Sequence, residues 1–231
     1  MRTLGLLGGM TWHSTVDYYR LVNEGVYARL GGAHSASLLL LSVDFAPVED
    51  LQRQGDWVGL GRRMGEWART LEAAGAQGLV ICTNTMHRLA EDVARVVSIP
   101  LLHIADATAV EARRLGMGRL GLLGTRYTME QDFYRGRLER DHGLEVIIPE
   151  EPDRTRVHEV IYGELVHGEV KESSRRAYVA VIEALKARGA EGVVLGCTEI
   201  PLLVRAQDSP LPLLDTTALH AAAAVEFLLA G

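Results

Sequence analysis

The chain has 231 residues, of which 48% are hydrophobic, 23% charged and 6% aromatic; 30 acidic against 24 basic side chains give a formal charge of -6. This composition is globular and excludes collagen, intrinsic disorder and, with two cysteines, a disulfide-stapled scaffold. It carries no basic footprint for nucleic acid. The N-terminal run LGLLGGM is too short and too broken by glycine for a signal peptide, and no segment reaches the roughly 20 apolar residues of a membrane span. A soluble cytoplasmic protein with free thiols is expected, with neither nucleic acid nor membrane as a partner.

Short apolar runs alternate with longer amphipathic ones. The runs predict strands at Thr3–Leu7, Ser37–Val43, Gly78–Cys82, Leu101–Ile104, Arg119–Leu123, Leu144–Ile148, Gly192–Gly196 and Leu211–Leu214. Each is bounded by Gly, Pro or polar residues. Between them, helical spacing predicts Thr15–Leu30, Trp57–Ala74, Met86–Val96, Thr108–Leu115, Met129–Asp141, Arg154–His167, Ser174–Arg188 and Thr216–Leu229, with Ser42–Asp56 read as a loop. Ser14 and Ser173 are candidate N-caps, and Gly75 and Gly189 stand where a C-terminal glycine belongs. Continuous apolar strands such as LLLLSV are those of a parallel sheet covered by helices on both faces, an α/β fold.

The chain also repeats itself. GAQGLVICTNT (Gly75–Thr85) matches GAEGVVLGCTE (Gly189–Glu199) at an offset of 189 − 75 = 114, and Leu71 in the preceding helix falls on Leu185. LGLLGG (Leu4–Gly9) matches LGLLGT (Leu120–Thr125) at 120 − 4 = 116, and the helices that follow carry YYR at Tyr18–Arg20 and FYR at Phe133–Arg135. Two distant matches at nearly one offset predict two pseudo-symmetric α/β lobes, each a parallel sheet flanked by helices. The first takes residues 1–105 with 212–231, and the second takes 106–211. Under the offset Thr83 falls on Cys197 and Asn84 on Thr198, both at a strand end where ligands of open α/β sheets gather. Two such lobes facing each other bring Thr83 and Cys197 to one substrate in the cleft between them.

The motifs have bland readings too. Cys197 in LGCTE sits beside a helix start, a setting that lowers a thiol pKa, although most single cysteines are small buried hydrophobes. Cys82, one residue before Thr83, points to the opposite face and reads as structural. GLLGGMTWHST (Gly5–Thr15), which includes Met10, is a glycine turn able to cradle a carboxylate or simply to turn. Its equivalent GLLGTRYT (Gly121–Thr128) adds the hydroxyls of Thr125 and Thr128. GMGRLG (Gly116–Gly121) precedes a strand and is no dinucleotide fingerprint, and neither Lys171 nor Lys186 suits a P-loop or a pyridoxal Schiff base. His87, His103 and His220 are scattered along the chain. His103 with Asp106 falls short of a metal-ligand set. Arg53, in LQRQGDW, reads as a ligand for a substrate's side-chain carboxylate or equally as a solvated arginine, Glu164 as a ligand for its ammonium or a solvent-facing residue, and Gln52 and Glu199 are further substrate-binding candidates.

Together GLLGGM, TNTMH (Thr83–His87), LLGTRYT (Leu122–Thr128) and GCTE (Gly196–Glu199) resemble the Asp/Glu racemase family over nearly the whole chain. Glu199 at the end of the last motif places the resemblance nearest the aspartate racemase branch or its broad-specificity relatives. The resemblance implies a homodimeric isomerase with no metal and no pyridoxal, in which one cysteine from each lobe exchanges the α-proton of an amino acid. By position Cys197 is the second-lobe cysteine and works on the L face, while Thr83 stands where the first-lobe cysteine belongs. Asn84, Thr85, Thr125, Thr198 and, more loosely, Glu164 match the substrate-binding positions. A hydroxyl is a far weaker acid than a thiol, so the chain is expected to be asymmetric, slow from D to L. Two alternatives stand beside this reading. One is a single-thiol decarboxylase or isomerase of the same superfamily. The other is a non-catalytic amino-acid-binding module.

Overall fold

The computed structural model describes residues 1–230 and divides into two compact units. The first comprises Met1–His103 together with the C-terminal stretch from His220, and the second Ile104–Leu219. Strands β1 (Leu4–Gly8), β2 (Leu38–Ser42), β3 (Gly78–Ile81) and β4 (Leu101–Leu102) form one parallel sheet in the order β2-β1-β3-β4. Strands β5 (Arg119–Gly124), β6 (Glu145–Ile147), β7 (Gly192–Gly196) and β8 (Leu213–Asp215) form a second in the order β6-β5-β7-β8. All eight expected strands are present, in two sheets of identical topology.

The helices are α1 (Trp12–Leu30), α2 (Phe45–Gln54), α3 (Trp57–Ala73), α4 (Ala90–Ala94), α5 (Ile104–Arg114), α6 (Arg126–Glu130), α7 (Arg135–His142), α8 (Asp153–Gly163), α9 (Glu172–Ala187), α10 (Ile200–Leu203) and α11 (Thr216–Leu229). In the first unit the two-residue period of the strands sorts side chains between two cores. Leu4, Leu6, Val80 and Cys82 pack with Tyr18, Val22 and Val26 of α1 and Ala224 and Leu228 of α11. Leu7, Leu79 and Ile81 face the other way, onto Val48 of α2 and Leu60, Met64 and Ala68 of α3. Each fully buried Leu or Val contributes about 1.5–3 kcal/mol. In the second unit Leu120, Leu122, Val193 and Val194 are likewise buried.

The repeat is visible bond for bond. Gly75 and Gly189 both have positive φ (101° and 91°) and close the helix before them. Ala76 N donates to Leu71 O, and Ala190 N donates to Leu185 O, each at 3.0 Å. Leu79 N and Val193 N both donate to a proline carbonyl, Pro100 and Pro212, at 2.9 Å.

Several expectations are corrected. Residues 212–231 do not belong wholly to the first lobe: β8 pairs with β7 and the division falls at His220, inside α11. Ser14 and Ser173 lie within α1 and α9, whose N-caps are Thr11 and Lys171. Residues 45–54, read as loop, are helical: Asp44 caps Ala46 N, and Gly55 (φ 71°) ends the helix. The helix expected over 129–141 is broken into α6 and α7, with Gln131 extended at ψ 151°. The segment after Asn84 begins as a 3-10 turn, Thr85–Leu89, before α4. No helix among the described residues is long and apolar enough to cross a membrane.

Candidate active site

In the second unit β7 ends at Gly196 and Cys197 follows. A Cβ on Gly196 would lie 2.9 Å from Leu123 O and 3.0 Å from Thr128 Cγ2, so only glycine lets the ends of β5 and β7 close this tightly. Cys197 is 9% exposed, and its Sγ donates to Glu199 Oε2 at 2.9 Å. Thr198 Oγ1 donates to the same oxygen at 2.7 Å, and Glu199 is itself buried at 7% exposure. Burial and then the neighbouring Glu199 carboxylate push the Cys197 thiol well above its ordinary range. This corrects the expectation of a thiolate favoured by a helix start: α10 is only four residues long and begins three residues later. The thiol is held protonated, with its proton already directed at a carboxylate.

Around it, Tyr178 is fully buried and donates to Val157 O at 2.8 Å. Its hydroxyl is pushed up first by burial and then by Cys197 and Glu164. Glu164 accepts from Ser174 Oγ at 2.6 Å and lies 3.5 Å from Lys171 Nζ. The residue expected to take a substrate ammonium is thus paired with an ammonium of this chain. Thr125 caps α6, accepting from Thr128 N at 3.4 Å, and the two hydroxyls lie 3.3 Å apart. Thr128 is fully buried against Gly124 and Gly196, so the structure places it in the packing beneath the strand ends.

In the first unit Cys82 N donates to Leu7 O at 2.9 Å, and Thr83 is the next residue along. Cys82 is fully buried in the core, as expected, and burial pushes its thiol up. Thr83 and Thr85 are half-buried and Asn84 is buried at the head of the 3-10 turn. Gly9 has φ 92°, and a Cβ there would lie 2.2 Å from Val43 O. Its N–H donates to Thr15 Oγ1 at 2.8 Å, so the glycine turn is taken up with its own helix start. Met10 and Gln52 are buried, Met10 within the core. Arg53 is exposed and pairs with Asp50 on its own helix.

The three histidines that are scattered along the sequence are gathered by the fold. His87, His103 and His220 are buried with ring centroids of His87 at 4.6 Å from His103 and 5.5 Å from His220. The available signal was the spacing of four between Thr83 and His87, one turn of helix. Asp106, weighed with His103 for a metal, instead accepts from Arg137 Nε at 2.6 Å and Nη2 at 2.8 Å and lies 2.8 Å from His142 Nε2. Among the described residues no group of three or more His, Cys, Asp or Glu is arranged to hold a metal ion.

The family model for Asp/Glu/Hydantoin racemases matches residues 7–224. A glutamate racemase from Synechococcus sp. (strain CC9605) is 34% identical over 129 residues, which is 54% of this chain and 45% of that relative, less than half its length. A Yersinia pestis crystal structure described as a candidate Asp/Glu racemase is 53% identical, with coverage of 99% of this chain and 100% of that one and a TM-score of 0.95. An aspartate racemase homologue from Pyrococcus horikoshii OT3 is 32% identical, with 99% of each chain covered and a TM-score of 0.86. The matched residues span both strand ends described above, and the chain belongs to the Asp/Glu/Hydantoin racemase family.

Proposed function

We propose that the protein is a cofactor-independent racemase of acidic amino acids in which Cys197 works on the L face and Thr83 supplies the opposite proton. The observation that carries this reading is the Cys197 thiol donating to the buried Glu199 carboxylate. A thiol must become thiolate to act as a base, and this one has a proton acceptor 2.9 Å away. In the forward direction the Cys197 proton passes to Glu199. The thiolate then takes the α-proton of the L-substrate, and the electron pair left on Cα delocalises into the substrate carboxylate. Asn84 and Thr85, just past β3, and Thr125 and Thr198, just past β5 and β7, are assigned to donate to that carboxylate. Return of a proton from the Thr83 hydroxyl to the other face gives the D-product; Thr83 recovers its proton from water, and Glu199 releases the proton it took from Cys197 to water.

The reverse direction demands that a threonine hydroxyl begin as the base, which at neutral pH it does poorly. Enantiomers have equal free energy in water, so the asymmetry falls on kcat and exchange rates and is balanced through KM. Incubation in deuterium oxide tests this. L-aspartate or L-glutamate is expected to gain α-deuterium quickly and the D-enantiomers slowly. Cys197→Ala is expected to lose about a thousandfold or more, as for an essential base. Thr83→Cys is expected to raise the rate from the D-side. Equal, fast exchange from both enantiomers would remove the assigned asymmetry, and carbon dioxide release would replace the racemase with a decarboxylase. Binding unaffected by Cys197→Ala, with no exchange in the parent protein, would leave a binding module.

A further inference from the structure

His87 is 2% exposed and lies in the 3-10 turn that follows Thr83. Its Nδ1 is 2.8 Å from the Thr83 carbonyl oxygen. A carbonyl only accepts, so Nδ1 carries the proton and donates. The backbone N–H of the same residue donates to Asn84 O at 3.0 Å. One residue therefore holds both carbonyls of the Thr83–Asn84 step, where the chain has left the ladder of β3.

The ring that does this is clamped from behind. His103 packs edge-on at 4.6 Å with an interplanar angle of 65°, and His220 at 5.5 Å with 64°. His220 is itself fixed: Nε2 donates to Leu102 O at 2.9 Å, which leaves Nδ1 to accept the Tyr18 hydroxyl at 2.8 Å. His103 follows β4 and His220 lies on α11, so two separate elements of the first unit pack on the imidazole, and Tyr18 of α1 holds the second of them. His103 and His220 are also the two residues at which the chain leaves and re-enters that unit.

We propose that His87 is a positioning residue for Thr83, its imidazole N–H holding the Thr83 carbonyl and so fixing where the Thr83 hydroxyl faces. The role in turnover rests on Thr83 acting as the proton donor. Release of the Thr83 carbonyl would let the Thr83 hydroxyl drift, and misplacement by about 1 Å is enough to cost about a hundredfold in rate. Packing alone would need only a ring-sized apolar group at position 87. The bond needs a donor.

Two variants separate the bond from the volume. Asparagine at 87 places an amide N–H near the position of imidazole Nδ1, and leucine fills space without donating. With L-aspartate in deuterium oxide, two rates are read: D-product formed, and α-deuterium gained by substrate that remains L. The second depends on Cys197 and not on Thr83. For His87→Leu, the ratio of the first rate to the second is expected to fall at least tenfold, with the second within threefold of the parent. For His87→Asn, the ratio is expected to return to within threefold. Hydrogen exchange is expected to quicken over residues 83–89 in His87→Leu only. Equal losses in both rates, or an Asn variant behaving like Leu, would overturn the proposal. The parent protein supplies a check independent of folding and activity: nitrogen-15 spectra of the imidazoles are expected to show His87 as the Nδ1–H tautomer, and the Nε2–H form would sink the idea. If the parent exchanges no α-proton from any amino acid, the racemase reading falls. The tautomer and the hydrogen-exchange pattern then still decide whether His87 holds the turn.

Discussion

At the scale of single residues the informative pair is Cys197 and Glu199. The carboxylate has two opposed effects on the thiol: its charge disfavours thiolate, and its oxygen is the acceptor through which the proton leaves. Glu199→Gln separates them because shape is kept and charge is lost. The rate of alkylation by iodoacetamide against pH is expected to shift to lower pH, since the largest remaining cause of the raised thiol is burial alone. Cys82 is fully buried and does not contribute to that signal. Turnover of L-aspartate is expected to fall by about a hundredfold or more, in the range for loss of a general acid–base group. A variant with more thiolate and less turnover marks Glu199 as proton acceptor. A variant that gains both marks it as an electrostatic brake only. Both residues were legible from GCTE, but their relation was not. A sequence places Cys197 near a helix start, and only the fold reveals that α10 begins after Glu199 has bent back onto the sulfur.

At the scale of elements the duplicated lobes differ where β1 and β5 hand over to a helix. Gly9 in the first falls opposite Thr125 in the second at the offset of 116. Thr125 sits at φ −64° and caps α6, whereas Gly9 sits at φ 92° with its Cα against the Val43 backbone. Gly75 shares the positive φ, 101°, but a Cβ there would meet nothing within 4 Å. Gly75→Ala is expected to cost about 1–2 kcal/mol, the strain of a left-handed residue alone. Gly9→Ala adds a collision at 2.2 Å with a backbone oxygen that cannot swing away, and its loss in urea denaturation is expected to be at least about twice as large. Similar losses at both would show that the β1–α1 turn relaxes. The strands were legible because apolar runs end at Gly or Pro. Helix α2 was missed because only Val48 and Gln52 of its ten residues are buried, a stripe too thin to register, although Asp44 and Gly55 bracket it. The break between α6 and α7 left no glycine or proline to announce it.

At the scale of the whole molecule, burial of neutral imidazoles sets how stability responds to acid. His87 is held well below its ordinary pKa of about 6.5, first by burial and then by His103 and His220. His158 is lowered too, by burial and then by Arg126. In the unfolded chain both take protons near pH 6.5, whereas the folded protein resists doing so until lower pH. The unfolded state therefore binds more protons in that interval, and stability falls as pH falls. For His87 each pH unit below about 6.5 costs about 1.4 kcal/mol until the folded form is itself protonated, and the share of the half-exposed His158 is smaller because solvent screens it. The carboxylates lowered by hydrogen bonds, among them Glu72, Glu111, Glu151, Glu169 and Glu191, act only below their ordinary range and are largely solvent-exposed, so their share is small and comes later. The melting temperature is expected to be level above pH 7 and to drop between pH 6.5 and 5. His87→Asn, which cannot titrate, is expected to flatten the larger part of that drop whatever its effect at pH 8. A parent protein whose melting temperature holds level down to pH 4.5 would mean that His87 is not the buried neutral imidazole on which the hold over Thr83 depends, and a drop that persists unchanged in His87→Asn would assign the acid response to groups other than His87.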